Sequence, residues 1–292
     1  MPEGDTVWRT AHRLHRAMAG QPVVLCDLRF PAVATVDLRG ASTLEVVSRG
    51  KHLLHRLDHD GRRVTIHSHL KMEGQWRVED SGTVQGWLRR DDLRAALGAP
   101  RWTALGLRLG VLDVVPTDRE GDLVGHLGPD LLGPDWDAER AVSNLRASHA
   151  PIGGALLDQR NLAGLGTLWT SETLFLQRVH PWTPADELPD EVVEGVVERG
   201  HRLLHGAVGH VIQSSTGSRR KGEETFVHPR SGRPCRRCGD TVRVAAIGPP
   251  TQERTMFYCP TCQGGLGPTD DGRPQRPLGS TPSAGPGYRR RP

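Results

Sequence analysis

Cys-Arg-Arg-Cys at positions 235–238 and Cys-Pro-Thr-Cys at positions 259–262 decide how the end of this chain folds. Two such Cys-x-x-Cys pairs supply the four thiolates of a closed, tetrahedral zinc site. A redox-active pair is the alternative, but one pair would serve that chemistry, and no thioredoxin-like pattern surrounds these two. Strand-like runs at 241–247 and 255–258 lie between the pairs, so we predict a β-hairpin held by one structural zinc ion. The predicted ligands are Cys235, Cys238, Cys259 and Cys262.

The other end of the chain carries a candidate nucleophile. Removal of Met1, which is usual before a small residue, would leave Pro2 as a free secondary amine beside Glu3. A free α-amine has a pKa of about 7.7–8.0, so part of it is neutral and can attack an electrophilic carbon to form an iminium. Glu3 is within reach to move protons. Taken alone, this start is more typical of a frayed terminus; the cysteines at the far end change the interpretation.

A helix is predicted directly after this start. Asp5 and Thr6 are good N-cap residues, and Gly20 is a stop signal. The positive end of the helix should therefore lie near the amine and stabilise an ionised Glu3. The apolar positions at helical spacing are Val7, Ala11, Leu14 and Met18.

Length and charge limit the possible classes of protein. The 292 residues suffice for two domains, and the sequence contains neither an apolar run of membrane-spanning length nor a signal peptide, so we predict a soluble, cytoplasmic protein. The formal net charge is only +4, and most of it lies in the tail 264–292. The segment 219–243 carries eight basic and three acidic residues, which suits phosphate binding, although a solvated face is the usual alternative.

Short apolar-alternating runs follow the first helix and predict a mostly β domain over residues 1–120, a sandwich or barrel. Two of its loops carry lysines. The turn 48–52 projects Lys51, a candidate phosphate contact or proton shuttle. The loop 68–74 combines Lys71 with Met72, which suits entry into a duplex and filling of the space left by an extruded base. An ordinary turn lysine and a hairpin with a core Met are the alternatives. The predicted strand segments lie at 23–30, 44–47, 52–57, 64–67, 75–78, 102–109 and 111–115.

The pattern becomes helical after the turn-rich segment 126–130. The turn 160–167 contains Gly164 and Gly166 just before a helix, where backbone N–H groups can hold a phosphate, as in helix–turn–helix units. From position 264 onward the chain is rich in Gly and Pro, which predicts a disordered tail whose Arg289–Arg291 end adds non-specific affinity for nucleic acid. The predicted helices span 137–147, 152–159, 169–177 and 191–213.

Together these segments resemble the formamidopyrimidine-DNA glycosylase and endonuclease VIII family of base-excision repair enzymes, in particular its endonuclease VIII-like branch. The resemblance runs from Pro2 to Gln263. It rests on Pro-Glu-Gly at the start, Ser-Arg-Gly-Lys-His-Leu-Leu at 48–54, Ser-His-Leu-Lys-Met-Glu-Gly at 68–74, His-Leu-Gly-Pro-Asp at 126–130, Leu-Leu-Asp-Gln-Arg-Asn-Leu-Ala-Gly-Leu-Gly at 156–166, and the four Cys with Glu-Arg-Thr at 253–255.

The resemblance implies an α+β multidomain fold. It comprises an N-terminal catalytic β-sandwich (1–120), a linker (121–136), a helix-two-turns-helix domain (137–222), a zinc-finger β-hairpin (223–263) and the disordered tail (264–292). It also implies that Pro2 attacks the sugar of a flipped, damaged nucleotide to form a Schiff base, with Glu3 relaying protons, followed by β,δ-elimination of the strand. Lys51 and Arg254 match the family's loop lysine and finger arginine, and Lys71, Met72, Gly166 and Thr167 are the implied DNA contacts.

Departures from the family pattern bear on the substrate. Thr167 stands where Asn is usual, and Thr6 stands where the first helix often carries Glu, so proton support would come from Asp5 or elsewhere. The purine-repair branch reads the opposite cytosine with an Asp-Pro-Arg-Arg-Phe-Gly segment, which this sequence lacks; oxidised pyrimidines are therefore the expected substrates.

Three other functions remain open at this stage. They are a lyase that acts mainly on abasic sites, a catalytically inactive zinc-finger DNA-binding protein, and an N-terminal-proline tautomerase, which the length and the four Cys oppose. The expected partner is damaged DNA, with no membrane and no nucleotide cofactor, and the chain is expected to be a monomer associated with the nucleoid through DNA.

Overall fold

The computed structural model describes residues 2–277, and its first half is one helix on two antiparallel four-stranded sheets. One sheet has the strand order β1-β6-β7-β5 and the other the order β2-β3-β4-β8, so the predicted sandwich is confirmed. The elements are α1 (Gly4–Met18), β1 (Leu25–Leu28), β2 (Ser42–Arg49), β3 (His52–His59), β4 (Arg62–His69), β5 (Gln75–Asp80), α2 (Gln85–Leu88), β6 (Leu93–Gly98), β7 (Trp102–Leu107) and β8 (Val111–Pro116).

Helix α1 packs its predicted apolar stripe into the core between the sheets. Val7, Ala11, Leu14 and Met18 are all buried. The helix begins at Gly4, ahead of the predicted N-cap residues Asp5 and Thr6, and Glu3 is its extended N-cap residue. The side chain of Glu3 makes no capping hydrogen bond to α1, so its carboxylate is free to bind elsewhere.

Strand β6 is the one described strand that the sequence analysis missed. Its sequence, Leu-Arg-Ala-Ala-Leu-Gly, favours helix by intrinsic propensity and lacks period-two alternation. The strand lies between β1 and β7, and Ala95, Ala96 and Leu97 are completely buried. Burial on both faces removes the alternation that marks a half-exposed strand.

The second half of the chain is helical and has its own apolar core, to which the hairpin contributes Ile247 and Met256. The four predicted helices form, although the last ends at Ala207, not at 213. The domain boundaries given above stay predictions. The elements are α3 (Gly121–Val124), α4 (Ala138–Arg146), α5 (Ile152–Leu157), α6 (Thr167–Gln177), α7 (Asp190–Ala207), β9 (Arg243–Ile247), β10 (Arg254–Tyr258) and α8 (Pro260–Gln263).

The predicted hairpin is present, but disorder does not begin at position 264. Residues 264–277 pack against β9 and β10, where Asp270 binds Arg243 and Tyr258. The Gly and Pro content of this segment concealed the few polar side chains that anchor it. Residues 278–292, including Arg289–Arg291, lie outside the described residues.

Candidate active site

The carboxylate of Glu3 lies buried on the N-terminus of α6, a helix from the other half of the chain. It accepts hydrogen bonds from the backbone N–H groups of Gly166 (2.9 Å), Leu168 (2.8 Å) and Trp169 (3.2 Å). The positive end of α6, not that of α1, therefore stabilises its charge. Burial nevertheless raises the pKa of Glu3, while Lys51 and the three N–H groups oppose the rise. A carboxyl in this state can hold or release a proton nearer neutrality than an exposed Glu.

Two glycines make this approach sterically possible. A Cβ at Gly166 would lie 2.6 Å from the Cδ of Glu3, and a Cβ at Gly4 would lie 2.9 Å from the Cα of Gly164. Gly164 has a φ of +116°, which side-chain-bearing residues rarely adopt, and its carbonyl accepts from the N–H of Gly4. The turn 160–167 thus binds the start of the chain. The expectation that the Gly166 amide holds a phosphate is wrong here, because Glu3 occupies that donor.

Asp5 forms a second buried anchor between the two halves. Its Oδ1 accepts from Trp169 Nε1 (3.0 Å) and Gln213 Nε2 (2.8 Å), and its Oδ2 accepts from Arg9 (2.9 Å). Both oxygens are engaged by donors, which suits a fixed acceptor better than a proton relay. Thr6 also binds Arg9 through its hydroxyl. Trp169 and Gln213 were missed, since their partner lies more than 160 residues away in sequence.

The turn between β2 and β3 holds Lys51 against the same site. Gly50 has a φ of +55°, and its N–H donates to the buried carboxylate of Asp130 at 2.8 Å. Desolvation lowers the pKa of Lys51 to about 8; the nearby charge of Glu3 raises it and that of Arg254 lowers it further. Glu3, Lys51 and Arg254 therefore interact electrostatically, although they come from α1, the β2–β3 turn and β10. Asp130, on the domain joint, fixes this turn.

Histidines surround the lysine loops, and the sequence analysis did not single them out. His52 Nδ1 lies 2.8 Å from His67 Nε2, and His67 Nδ1 lies 2.9 Å from Asp113 Oδ2. The rings of His69 and His126 contact His52 edge-on. Burial and neighbouring positive charge lower the pKa of His52 to about 3 and that of His69 to about 4. The imidazoles of His52 and His69 are therefore neutral at physiological pH.

The loop 68–74 presents its two predicted DNA contacts to solvent. Lys71 is exposed and has a φ of +54°, and Met72 is 64% exposed. The alternative of a core Met is therefore wrong. Gly110 lies so close that a Cβ there would meet Lys71 Cγ at 2.2 Å, so the loop is held tightly at its base. By contrast, Thr167 is only 4% exposed, and Arg254 is exposed at the start of β10.

Part of the basic segment 219–243 has a structural role. Arg237 stacks on Phe175 with its Cζ 4.2 Å from the ring centroid, and Arg243 is 6% exposed and paired with Asp270. Arg219, Arg220 and Lys221 are exposed. Exposed positive charge is therefore available in the loop before the four cysteines.

Glu172 anchors that loop and was also missed. Its buried carboxylate accepts from the backbone N–H groups of Phe226, Val227 and His228, each at 2.8 Å. It also binds the hydroxyl of Ser215. Burial raises the pKa of Glu172, against these hydrogen bonds. Glu172 therefore binds both ends of the loop, Ser215 before the basic residues 219–221 and Phe226 after them.

The four cysteine sulfurs have the geometry of a metal site. Their Sγ atoms lie within 4.8 Å of one another, with Cys235–Cys262 at 3.9 Å and Cys238–Cys259 at 3.5 Å. A tetrahedron with Zn–S bonds of about 2.3 Å has S···S edges of about 3.8 Å. The residues therefore fit a closed zinc site with no position left for water, while Cys26 lies apart in β1.

Comparisons with known proteins agree over most of the chain. Residues 1–106 match the formamidopyrimidine-DNA glycosylase N-terminal domain, and residues 127–218 match the formamidopyrimidine-DNA glycosylase H2TH domain. A probable endonuclease 8 2 of Streptomyces coelicolor is 48% identical over 94% of this chain and 98% of its own length. A DNA-(apurinic or apyrimidinic site) lyase Nei2 of Mycolicibacterium smegmatis is 40% identical over 90% of this chain and 99% of its own length.

The fold is also similar to that of solved structures. Lactococcus lactis Fpg in complex with abasic-site DNA superposes with a TM-score of 0.75, at 23% identity, over 90% of this chain and 100% of that one. At this identity the similarity supports the fold alone. Within residues 2–277, no helix is both long and apolar enough to cross a membrane.

Proposed function

This chain belongs to the formamidopyrimidine-DNA glycosylase family of base-excision repair glycosylases and abasic-site lyases, and from that premise we propose that it removes oxidised pyrimidines through a Schiff base at Pro2. The observation that carries the proposal is the buried Glu3 carboxylate on the N-terminus of α6, directly beside Pro2 in the chain. Lys51 interacts electrostatically with this carboxylate and with Arg254.

The proposed reaction begins at the amine. The Pro2 nitrogen attacks C1′ of the flipped nucleotide, the C1′–base bond breaks, and the base leaves with its electron pair and a proton. Glu3, whose raised pKa favours proton donation near neutrality, protonates the ring oxygen so that the sugar opens to the iminium. The nucleophile and the proton donor are adjacent residues, and the N-terminus of α6 fixes the donor.

The iminium then serves as an electron sink for strand cleavage. Loss of a C2′ proton expels the 3′-phosphate, and a second elimination expels the 5′-phosphate; water releases the sugar fragment and restores the amine. Each elimination needs a base and a phosphate contact. A pKa of about 8 leaves part of Lys51 neutral at working pH, which suits proton transfer. The guanidinium of Arg254, which can donate two parallel hydrogen bonds, suits the phosphate beside the lesion.

The remaining predicted residues are proposed to hold the DNA. The exposed side chain of Met72 would fill the space left by the flipped nucleotide, with Lys71 on the backbone beside it. Thr167 would contact phosphate through its hydroxyl once DNA displaces the residues that cover it. One zinc ion at Cys235, Cys238, Cys259 and Cys262 would fold the hairpin that carries Arg254. We expect a monomer that acts on DNA in the cytoplasm.

A lyase that acts mainly on abasic sites is the second candidate. One specific observation favours it: a relative 40% identical over 90% of this chain carries the name DNA-(apurinic or apyrimidinic site) lyase. An abasic sugar needs no base expelled, so the same Pro2 and Glu3 arrangement would serve. Comparing rates on thymine glycol, 8-oxoguanine and abasic oligonucleotides separates the two candidates.

Borohydride trapping on an abasic oligonucleotide tests the amine mechanism. The protein, confirmed by mass spectrometry to begin at Pro2 and to hold zinc, should give a covalent band that Pro2→Gly weakens and Glu3→Gln alters. A version acetylated at the Pro2 nitrogen is the control, since an amide nitrogen cannot form the iminium. An equal band from that version would exclude Pro2 as the nucleophile. No band from the wild-type chain, with DNA binding retained, would leave a non-catalytic DNA-binding protein.

A further inference from the structure

The segment beyond the last cysteine, residues 266–277, forms part of the hairpin's support. Asp270 has a completely buried side chain and binds the guanidinium of Arg243 in β9, whose side chain is 8% exposed. Arg243 Nε donates to Asp270 Oδ2 at 2.6 Å, and the hydroxyl of Tyr258 in β10 donates to the same oxygen at 2.6 Å. The Asp270 carboxylate therefore binds both strands of the hairpin.

The same segment binds the outer edge of β9. The side-chain amide of Gln275 accepts from the N–H of Val244 and donates to its carbonyl, both at 2.8 Å. The hydroxyl of Thr269 donates to the carbonyl of Ala246 at 2.9 Å. In effect, side chains take the place of a third strand, which a two-stranded sheet otherwise lacks.

Trp182 links this assembly to the helical core. Its Nε1 donates to the carbonyl of Ala246 at 3.2 Å, and its ring packs edge-on against Tyr258 with centroids 4.8 Å apart. Gly267 lies flat on the ring, where a Cβ would come within 2.7 Å. The segment is thus pinned between the hairpin and the helical domain.

The cysteines hold only one end of the hairpin. Arg254 opens β10 and pairs with Ile247, five residues before Cys259. At about 3.3 Å per residue, the arginine lies roughly 17 Å along the strand from the nearest sulfur ligand. An isolated two-stranded hairpin is marginal in water, so the metal alone leaves the arginine end weakly fixed.

We propose that Asp270 and Gln275 are positioning residues that set the placement of Arg254 on DNA, independently of the metal. The segment 266–277 acts as a strap along the hairpin. Asp270 holds the strand pair Arg243–Tyr258 next to the cysteines, and Gln275 and Thr269 continue the support along β9 as far as Ala246. Ala246 is adjacent to Ile247, the partner of Arg254, so the strap extends the support beyond the metal's end of the hairpin toward the arginine. The DNA consequence rests on the proposed function, because it needs Arg254 to contact DNA. The mechanical consequence, a more rigid hairpin, does not.

The test compares full-length variants with a matched control. Asp270→Asn leaves Arg243 buried without a counter-charge, whereas Asp271→Asn changes a neighbouring carboxylate that is 64% exposed. Gln275→Ala removes the two edge hydrogen bonds without uncovering a charge, so it serves if Asp270→Asn fails to fold. Each protein is assayed for zinc content, hydrogen exchange of the β9 and β10 amides, affinity for an oligonucleotide with a tetrahydrofuran abasic analogue, and single-turnover cleavage at saturating enzyme.

The expected result is one zinc per chain throughout, with faster exchange in β9 and β10 and about tenfold weaker binding for Asp270→Asn. Gln275→Ala should weaken binding by about threefold. Cleavage at saturating enzyme should change less than binding, because Pro2 and Glu3 are untouched, and Asp271→Asn should match wild type. The proposal would be overturned if Asp270→Asn and Gln275→Ala both kept the wild-type exchange rates and DNA affinity. It would also be overturned if binding were lost only where zinc is lost. Failure of wild type to bind the analogue would instead refute the proposed function, and the exchange data would still decide on the strap.

Discussion

Replacing Gly166 by Ala should disable the active site by displacing Glu3. The backbone at Gly166 is extended, with φ −124° and ψ −162°, so alanine adds no backbone strain. Its Cβ would lie 2.6 Å from Glu3 Cδ and 2.7 Å from Oε1. To reach an ordinary contact distance, the carboxylate must retreat by about 1 Å.

That retreat breaks hydrogen bonds to a buried charge. Loss of two of the three N–H donors would cost about 3–6 kcal/mol, since each hydrogen bond to a charged group contributes about 1.5–3 kcal/mol. Part of this cost should appear as a lower unfolding midpoint. A misplacement of about 1 Å in a catalytic group costs about 100-fold in rate, which we expect for excision of an oxidised pyrimidine.

Single-turnover excision, followed by quenching and electrophoresis, measures this rate. Gly154→Ala is the matched control: it lies in α5 of the same domain, and a Cβ there meets nothing within 4 Å. The control should keep the wild-type rate and melt no earlier. If folded, zinc-loaded Gly166→Ala excised the base within threefold of wild type, the position of the Glu3 carboxylate would not control the reaction, and the reasoning would be refuted.

Three further outcomes are expected. Met72→Ala should slow excision about tenfold because no side chain fills the vacated stack, while calorimetry should show an unchanged unfolding midpoint, since Met72 is 64% exposed. DNA affinity should fall about tenfold between pH 7 and pH 9, because the cationic form of Lys51 is lost as pH rises through its pKa of about 8. Fluorescence anisotropy should show a smaller change of affinity with pH for Lys51→Arg. An equally steep change for this variant would exclude Lys51 as the titrating group. Cys238→Ser should lose zinc by metal analysis and bind DNA at least about 100-fold more weakly, whereas Cys26→Ser, outside the cluster, should do neither.

Local patterns were sufficient to predict most of the fold. The buried stripe of α1, the four later helices and the cysteine hairpin follow from periodicity and spacing within single segments. Strand β6 did not, because its Ala-rich sequence takes its conformation from the two strands that enclose it. The order of residues 264–277 likewise depends on a few polar side chains, such as Asp270, whose partners are tertiary.

The candidate site divides in the same way. Glu3 and Lys51 could be identified from sequence because they stand in short, recognisable segments. The contacts that hold these two residues could not be identified from sequence. Glu3 binds amides 163 or more residues away, and Gly50, next to Lys51, binds Asp130 across 80 residues. Gly166 looked like a phosphate-binding glycine, since nothing local indicates that a carboxylate from the chain's start takes its amide. Residue types were enough to predict the chemistry proposed above, but the tertiary contacts that hold Glu3 and the Lys51 turn in place could not be predicted from them.

The anchoring of Glu3 by α6 makes the active site a joint product of both halves of the chain. Cut in the joint around residues 121–136, the protein would give one fragment with Pro2 and Glu3, the proposed nucleophile and proton donor, and another with the amides that bind Glu3. Neither fragment contains a complete centre, so recovered turnover in a mixture would report their reassociation. Activity would therefore measure whether the two halves are correctly docked. Mutations that weaken this docking should lower activity as active-site mutations do, although they lie far from the reacting atoms.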